Sequence, residues 1–490
     1  MPPQLALILC SGFVLVLLRY DRQLSRDVSG AAWLATLWIF SIGTKPLGVW
    51  FASTSGDQFG SPLDQYFQIA LLLSGLLVLA QRQFDASEAI RKEPWLFVLV
   101  GYMLVSILWS ELPVSGVKRW MRQLVAVVMA FVVLSDRDPR QAVESILRRS
   151  AYVLIPFSML LIKYYPHYGV EFHRWSGDRM WVGVAQQKNG LARMCIIGVL
   201  YLVWALVRRW RGREPWLSRC HVLTECMVLV LGAYLLFLPD GKASATSVAA
   251  FVSAVSVLCG LGWLRGRGVR LHIQLVSVIV LALCTLGLAL AFGHGPGVSG
   301  LTAAMGRDET LTGRADTWAE LVPVVMEHPL FGCGFESYWS PVTRERHQMS
   351  NAHNAYLEVI NELGAVGFLI FAMFLRSVAQ RAQQAMAFDY EWGTLCLGYI
   401  GMALIHGCAE SSTNSFSCHL AGTLLLLGIS CTAIIQWRHE ALAGKDEPPI
   451  RVAANAILMD PHTMSSQCGQ VISCFRSGHV AECQKRQRPT

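Results

Sequence analysis

The sequence predicts an all-α fold, a polytopic transmembrane helical bundle of about 12–13 spans with one large outer loop that contains short helices. Two observations carry this prediction. Of the 490 residues, 53% are hydrophobic and only 15% are charged, whereas soluble domains carry about 25% charged residues. The apolar residues also form long runs, and a membrane-spanning helix needs about 20 of them. This composition excludes a disordered chain, a disulfide scaffold and a typical nucleic-acid-binding protein.

Thirteen apolar runs are candidates for these spans. They lie at residues 3–18, 31–50, 64–80, 95–110, 114–134, 150–163, 190–207, 222–238, 244–264, 271–292, 363–375, 393–408 and 418–436. The first run has the length of a signal peptide, but no basic segment precedes it and no small-residue cleavage site follows it. We therefore interpret it as a retained helix.

The loops between these runs predict the orientation of the chain. Cytoplasmic loops are enriched in Lys and Arg, and 27 of the 41 basic residues lie in one set of alternate loops and the C-terminal tail. This set comprises residues 19–30, 81–93, 136–149, 208–220, 265–270, 376–391 and the tail from 437. This set is therefore predicted to be cytoplasmic, which places the N-terminus outside and explains the net charge of +8 without nucleic acid. The predicted regions are a helical region at 1–292, the large outer loop at 293–362, further spans at 363–437 and a poorly ordered cytoplasmic tail at 438–490.

Two outer loops are long, and long loops usually carry function. The loop at about 164–189 is crowded with aromatic and basic side chains. In the second loop, at 293–362, the stretch RADTWAELVPVVMEH predicts an amphipathic helix at the membrane surface, which Pro329 and the following glycines end.

A second helix is expected further along the large loop. Ser350 or Asn351 can cap it, which places His353 in the first turn, where the positive end of the helix disfavours the imidazolium form. Asn354, Glu358 and Asn361 follow at helical spacing and give the helix one polar face. A solvated face on an ordinary loop helix would explain the same pattern.

Several cations lie at the outer ends of spans, against the positive-inside trend. Arg119 and Arg122 share one helix face at the start of the fifth run, next to Lys118, for which snorkelling to the interface is an equally good explanation. The others are Lys45 beside Pro46, where a break in the second run is expected, Lys188 and Arg193 at the start of the seventh run, Lys242 between two runs, and Arg314 at the start of the surface helix.

A membrane-bound anion would explain these outer cations, because the planar guanidinium of arginine binds two phosphate oxygens at once. The fourteen cysteines show no spacing typical of metal ligands, and no nucleotide-binding loop occurs. We therefore expect neither a metal nor a cofactor. Arginines and lysines beside one histidine predict a lipid-diphosphate site with a general base.

The residues of the large loop resemble a known family. The stretch GRDETLTGRADTWAELVPVVMEHPLFGCGFESYW, followed by AHNAYLEVINELGAVGFLIF, is similar to the O-antigen ligase and O-antigen polymerase membrane family, and is closest to its exopolysaccharide-polymerase-like branch. This resemblance covers roughly residues 306–371. Weaker likeness occurs in WSELPVSGVKR at 109–119, QKNGLA at 187–192 and AES at 409–411.

The resemblance implies a multi-pass protein of the bacterial inner (cytoplasmic) membrane with a periplasmic active face. It implies a glycosyltransferase of cell-envelope polysaccharide biosynthesis, whose donor is a glycan on undecaprenyl diphosphate. The acceptor is a sugar hydroxyl on another lipid-linked glycan or on lipid A-core. The family is metal-independent and inverting. Its essential histidine and one essential arginine match His353 and Arg314 here.

The residues and the resemblance together predict a mechanism. His353 takes the proton of the acceptor hydroxyl, and Arg314 stabilises the departing diphosphate together with Arg119 and Arg122. Further substrate-binding residues are expected at Lys188, Lys242, Asn354 and Glu410.

Several alternatives stay open at this stage. Glu410 could instead orient His353 or act as the base, and His167 and His173 are weaker candidates for the base. Aromatic side chains of the outer loops could stack on sugars or form an interfacial belt, namely Trp175, Trp181, Tyr338 and Trp339.

Three functional alternatives also remain. Polymerase is slightly favoured over ligase, because the likeness is closer to the exopolysaccharide branch. A secondary transporter or flippase of a lipid-linked anion is the rival from another class, although its charges would be expected near the middle of the bilayer on broken helices. A membrane scaffold without chemistry would leave the histidine and the outer arginines without a purpose.

Overall fold

The computed structural model describes residues 1–51, 61–172, 177–212, 218–237, 244–292, 314–347 and 349–442, without the side chains of 314–316 and 440–442. Within these ranges the chain is almost entirely helical, as predicted. The helices are α1 (Pro3–Leu24), α2 (Ala32–Gly43), α3 (Leu47–Phe51), α4 (Pro62–Gln81), α5 (Ala86–Lys92), α6 (Pro94–Ser106), α7 (Pro113–Leu134), α8 (Pro139–Tyr164), α9 (Pro166–Gly169), α10 (Lys188–Trp210), α11 (Arg219–Phe237), α12 (Ala245–Gly266), α13 (Ile273–Phe292), α14 (Arg314–Glu327), α15 (Pro341–His347), α16 (Ala355–Ala385), α17 (Tyr390–Gly407) and α18 (His419–Leu442).

Each of the thirteen predicted runs coincides with helix in the structure. In the part of the chain that the structure describes, nine helices are long and apolar enough to cross a membrane, or ten if the bent pair α5 and α6 forms one span. The predicted run at 31–50 is interrupted, because Pro46 follows the end of α2 and cannot donate a backbone hydrogen bond. The protein is therefore an all-α polytopic membrane protein.

Most of the chain forms one packed body over Met1–Ile435. Its most buried long helices are α8, α10 and the start of α18, whereas α1 and α4 expose most of their surface. Neighbouring helices include α8 with α1 and α10, α13 with α16, and α12 with α17. The second unit, Gln436–Thr490, contains the predicted tail, of which residues 443–490 lie outside the described part.

The segment at about 164–189, which is predicted to be an outer loop, contains a short hairpin. Strand β1 (Val170–Phe172) pairs antiparallel with β2 (Arg179–Trp181), so that Val170 faces Trp181 in register. Lys45 supports this hairpin. Its ammonium group donates to the carbonyls of Tyr168 at 2.9 Å, Ala185 at 2.8 Å and Gly183 at 3.3 Å. Lys45 thus joins the end of α2 to this segment, and its ammonium group has backbone rather than phosphate partners.

One prediction about the basic loops needs correction. Arg148, Arg149 and Arg209 were counted in cytoplasmic loops, but they lie in α8 and α10 and are almost fully buried. They belong to a buried ion-pair cluster, whose carboxylates allow arginine to leave water. Its members are Asp21, Glu144, Arg148, Arg149, Arg209 and Glu225.

Helix α16 is broken at Gly364, which has a φ of +67°. The backbone groups left unpaired by the break bond to the preceding loop. The carbonyls of Asn361 and Glu362 accept from Cys333 and Gly334, and the N–H groups of Ala365 and Val366 donate to Pro329 and Leu330. A Cβ atom on Gly364 would lie 2.3 Å from the backbone of Leu330, so only glycine fits. The glycine-rich stretch after Pro329 therefore completes a broken helix.

Candidate active site

His353 lies in a tight turn immediately before α16. Its φ of +48° is left-handed, and its backbone N–H donates to the side-chain oxygen of Asn351 at 2.9 Å. The cap of α16 is Asn354, whose side-chain oxygen accepts from Tyr356 and Leu357. The prediction that Ser350 or Asn351 caps the helix and that His353 lies in its first turn is therefore wrong.

The start of the helix is displaced because Asn354 is held from two sides. Its amide nitrogen donates to the carbonyls of Gly287 at 3.0 Å and Cys408 at 3.1 Å, while its oxygen caps α16. The side chain is completely buried. It therefore fixes the turn that carries His353, and its contact with substrate stays a prediction.

Glu410 and Asn189 hold the imidazole of His353. Nδ1 of His353 lies 3.2 Å from one carboxylate oxygen of Glu410, and the amide nitrogen of Asn189 donates to the other at 2.5 Å. An ionised carboxylate only accepts hydrogen bonds, so with Glu410 ionised Nδ1 carries the proton and Nε2 is left as the acceptor. The histidine side chain is 20% exposed while that of Glu410 is 6% exposed. The Nδ1 edge of the imidazole is thus held by Glu410, and the other edge is accessible.

Glu358 connects the three segments around this group. Its carboxylate accepts from the indole N–H of Trp339, from the backbone N–H of Ala352 at 2.6 Å and from the hydroxyl of Ser411 at 3.2 Å. Glu358 and Asn361 are both buried. The alternative of a solvated polar face on this helix is therefore wrong, because the face is filled by the neighbouring loops.

The predicted surface helix exists as α14 and packs beside the His353 turn. The indole N–H of Trp318 donates to the carbonyl of Ala352 at 2.7 Å, and Thr317 contacts the sulfur of Met349 at 3.2 Å. Arg314 is the first residue of α14, but its side chain lies outside the described part. Lys242, His173 and Trp175 also fall outside the described residues.

The two arginines predicted at the start of α7 differ in their surroundings. Arg119 is buried, donates to the carbonyl of Glu336 and lies 3.1 Å from the carboxylate of the same residue. Arg122 is half-buried and has no hydrogen bond or ion pair with the described residues. Arg119 is thus charge-compensated by the large loop, whereas Arg122 is the more available cation.

Sequence reasoning missed the contribution of α7 and α10 to the loop that carries Glu410. Gln123 donates to the hydroxyls of Ser415 and Ser417, and its side-chain oxygen accepts from the backbone of Phe416 at 2.8 Å. Asn189 lies beside Lys188, which begins α10. The cations Lys188 and Arg193 and the likeness of QKNGLA to the family pointed to this segment, but neither signal singled out Asn189.

The candidate aromatics are mostly structural in this arrangement. Trp339 is 3% exposed, so its ring faces are unavailable for sugar stacking. Tyr338 bonds the ring of His347 at 3.0 Å, and burial raises the pKa of its hydroxyl. Burial also raises the pKa of the Cys333 thiol in the glycine-rich stretch. His167 is exposed beside Tyr168 and contributes nothing to the Glu410 group.

Two comparisons with known proteins show what this chain is similar to. Residues 241–372 match the family model described as O-antigen ligase. A curated relative is the exopolysaccharide production protein ExoQ of Rhizobium meliloti (strain 1021), which is 25% identical over 293 residues. That alignment covers 57% of this chain and 63% of the relative, less than two thirds of its length. The resemblance to the O-antigen ligase and polymerase family is thereby confirmed.

Proposed function

We propose that the protein is a membrane glycosyltransferase that transfers or polymerises a glycan from undecaprenyl diphosphate onto a sugar hydroxyl at the periplasmic face of the inner membrane. The observation that carries this proposal is the anchored imidazole of His353. A histidine whose Nδ1 faces a buried carboxylate and whose other edge is accessible has the geometry of a general base. Family likeness supplies the class of reaction, and the likeness to an exopolysaccharide production protein favours polymerisation over ligation.

The proposed reaction is a single displacement. Nε2 of His353 accepts the proton of the acceptor hydroxyl as its oxygen attacks the anomeric carbon. The bond from that carbon to the diphosphate oxygen breaks, and the diphosphate leaves with the bonding electrons. Attack opposite the leaving group inverts the anomeric centre. Glu410 stabilises the imidazolium that forms, because its carboxylate already accepts the Nδ1 proton.

The leaving group gains negative charge in this step, so cations near it lower the barrier. Arg122 is available for this role because the described residues do not neutralise it. Arg314 is proposed to join it, since α14 packs against the His353 turn through Trp318. Arg119 contributes indirectly, by holding the loop segment that contains Glu336. Lys188 and Lys242 stay as proposed secondary substrate contacts, whereas Asn354 is proposed to act by fixing the turn that carries His353.

His353→Ala tests the proposal. General-base catalysis contributes typically about 10²–10⁴-fold, so turnover of a purified lipid-linked glycan should fall by that factor while the amount of protein in the membrane is unchanged. His167→Ala is the matched control, because it removes an exposed histidine of the same outer side. Wild-type turnover in His353→Ala, or loss in His167→Ala alone, would refute the assignment of the base.

Polymerisation and ligation are separated by deleting the gene and analysing surface glycans on a gel. Loss of free or secreted polymer, or single repeats on the core, indicates a polymerase. Loss of ladders linked to lipid A indicates a ligase. We expect the polymerase result.

A further inference from the structure

The contact between His353 and Glu410 joins two separate segments of the chain. His353 lies in the turn before α16, whereas Glu410 lies 57 residues further on, in the loop between α17 and α18. Nδ1 of the imidazole and the carboxylate oxygen are 3.2 Å apart, and hydrogen bonds weaken steeply when their geometry changes. A side chain that holds the two segments together would therefore control the orientation of the base.

Glu358 bonds to both segments through one atom. Its carboxylate oxygen Oε2 accepts from the backbone N–H of Ala352 at 2.6 Å and from the hydroxyl of Ser411 at 3.2 Å. Ala352 directly precedes His353, and Ser411 directly follows Glu410. A single oxygen atom thus connects the backbone beside the base to the residue beside the carboxylate that orients it.

The surroundings of Glu358 fit a group that holds protein segments rather than one that binds a sugar. The residue is only 2% exposed. Its second carboxylate oxygen, Oε1, accepts from the indole N–H of Trp339, which is also buried. Each oxygen therefore has a donor from the protein itself, and the carboxylate is shielded from solvent.

The three donors around this side chain explain why a carboxylate is needed. A carboxylate accepts on both oxygens and can satisfy all three, whereas the amide of glutamine accepts through one oxygen only and would direct its NH₂ group at a donor. Hydrogen bonds to an ionised acceptor are also shorter and stronger than neutral ones. Leaving a buried donor without a partner destabilises the arrangement, so the two segments should separate or shift when the carboxylate is removed.

We propose that Glu358 is a positioning residue for the proton transfer, which sets the distance between His353 and Glu410 through its bonds to Ala352 and Ser411. This inference rests on the proposed function. Glu358 takes no proton and touches no substrate. It keeps Nδ1 of the imidazole against the Glu410 carboxylate, so that Nε2 is directed at the acceptor hydroxyl.

Kinetics of the full-length protein in nanodiscs test this role, with a lipid-linked glycan purified from cells that lack the gene as the substrate. Glu358→Leu removes every acceptor at similar size. It should lower kcat about 100-fold with little change in KM, because a shift of about 1 Å in a catalytic group costs about that factor. In the His353→Ala background, the same substitution should lower the residual kcat less than about threefold, since residues that act as a unit are not additive.

Glu93→Gln is the matched control for a purely structural effect. Glu93 is also a buried carboxylate, and it bonds Thr432 and Arg381 near the opposite end of α16. Its loss should lower the Tm, because the charge of Arg381 stays buried without its partner. The kcat of the folded fraction should equal that of the parent protein in both backgrounds.

Three results would overturn the positioning role alone. An equal fold-loss of kcat from Glu358→Leu with and without His353 would mean that Glu358 acts independently of the base. A rise in KM at wild-type kcat would make it a substrate contact. Unchanged kcat and KM would leave it without a role in the reaction. Wild-type turnover in His353→Ala, in contrast, would refute the proposed function and the positioning role with it.

Two milder variants apply the same test if the leucine variant does not fold. Glu358→Gln keeps one acceptor oxygen and should lower kcat about tenfold. Ser411→Ala removes only the donor beside Glu410 and should lower kcat about three- to tenfold. Both losses should nearly disappear in the His353→Ala background. A loss that persists there at full size would overturn the inference.

Discussion

Two groups of polar and charged residues lie at opposite ends of α10 and differ in what their carboxylates contact. At the C-terminal end, Arg209 pairs with Glu225, and Arg148 and Arg149 both face Asp21. At the N-terminal end, about 30 Å away by helical rise, Asn189 donates to Glu410, whose other carboxylate oxygen lies 3.2 Å from Nδ1 of His353. Ion pairs hold helices together, whereas a carboxylate beside a histidine can orient the imidazole for proton transfer. Helix α10 thus contributes to stability at its C-terminal end and, as we propose, to catalysis at its N-terminal end.

The largest effect is expected from Glu410→Gln. Asn189 donates to the side chain at this position, so the oxygen of the introduced amide should face Asn189 and its NH₂ group should face Nδ1 of His353. Nδ1 would then have to accept, which moves the ring proton to Nε2 and removes the base. A wrong tautomer costs up to about 10⁴-fold in a histidine-dependent enzyme. Turnover of the purified variant measures this loss.

A second substitution in the same chain sharpens that test. Asn189→Asp, introduced into Glu410→Gln, offers an acceptor to the NH₂ group of the introduced amide and turns the amide oxygen towards Nδ1. The double variant should therefore recover part of the lost turnover, although Asn189→Asp alone places two carboxylates together and should be inactive or impaired. If the double variant is no better than Glu410→Gln alone, Asn189 does not act through the side chain at position 410.

Substitutions in the buried ion-pair cluster should change the thermal stability of the protein. Arg209→Met leaves the Glu225 carboxylate buried without its partner, and breaking a buried pair costs about 3–5 kcal/mol. Arg209→Met together with Glu225→Gln removes both charges and should restore most of the Tm, while keeping an acceptor for Tyr152. Thermal unfolding in nanodiscs gives both values. Equal Tm values for the single and double variants would contradict this account of the cluster.

Substitutions of the two arginines of α7 should have smaller effects, and each should change a different measured property. Arg122→Gln should lower kcat/KM about 10–100-fold, because one charged contact with the substrate is lost. It should leave the Tm unchanged. Arg119→Gln should mainly lower the Tm, because it deprives Glu336 of its partner. Measuring kcat/KM and Tm for both variants checks this. The reverse pattern would assign the diphosphate contact to Arg119.

The smallest effect is expected from Lys118→Gln. The side chain is exposed near the start of α7 and has no bond with the described residues. Exposed substitutions away from special contacts change stability by less than about 0.5 kcal/mol. The Tm and turnover of this variant should therefore equal those of the wild type, which supports snorkelling as the explanation for Lys118. A tenfold fall in turnover would place Lys118 in the substrate site.

Sequence patterning predicted the helices well, because a bilayer requires long apolar runs and Pro46 marks the break after α2. His353 and Glu410 were both singled out, yet their contact could not be predicted, since 57 residues separate them and only packing brings them together. Arg148 and Arg149 were assigned to a loop because their partner, Asp21, is distant in sequence. The cap at Asn354 was missed because the competing contacts from Gly287 and Cys408 are tertiary.

The break at Gly364 also restricts where the sequence can change in length. Four backbone hydrogen bonds join residues 329–334 to residues 361–366, each at a fixed register. Adding or removing one residue within either segment would shift all later pairs and displace the first turns of α16, next to His353. Insertions and deletions among related sequences should therefore avoid both segments, and an alignment that places a gap there would misassign the histidine.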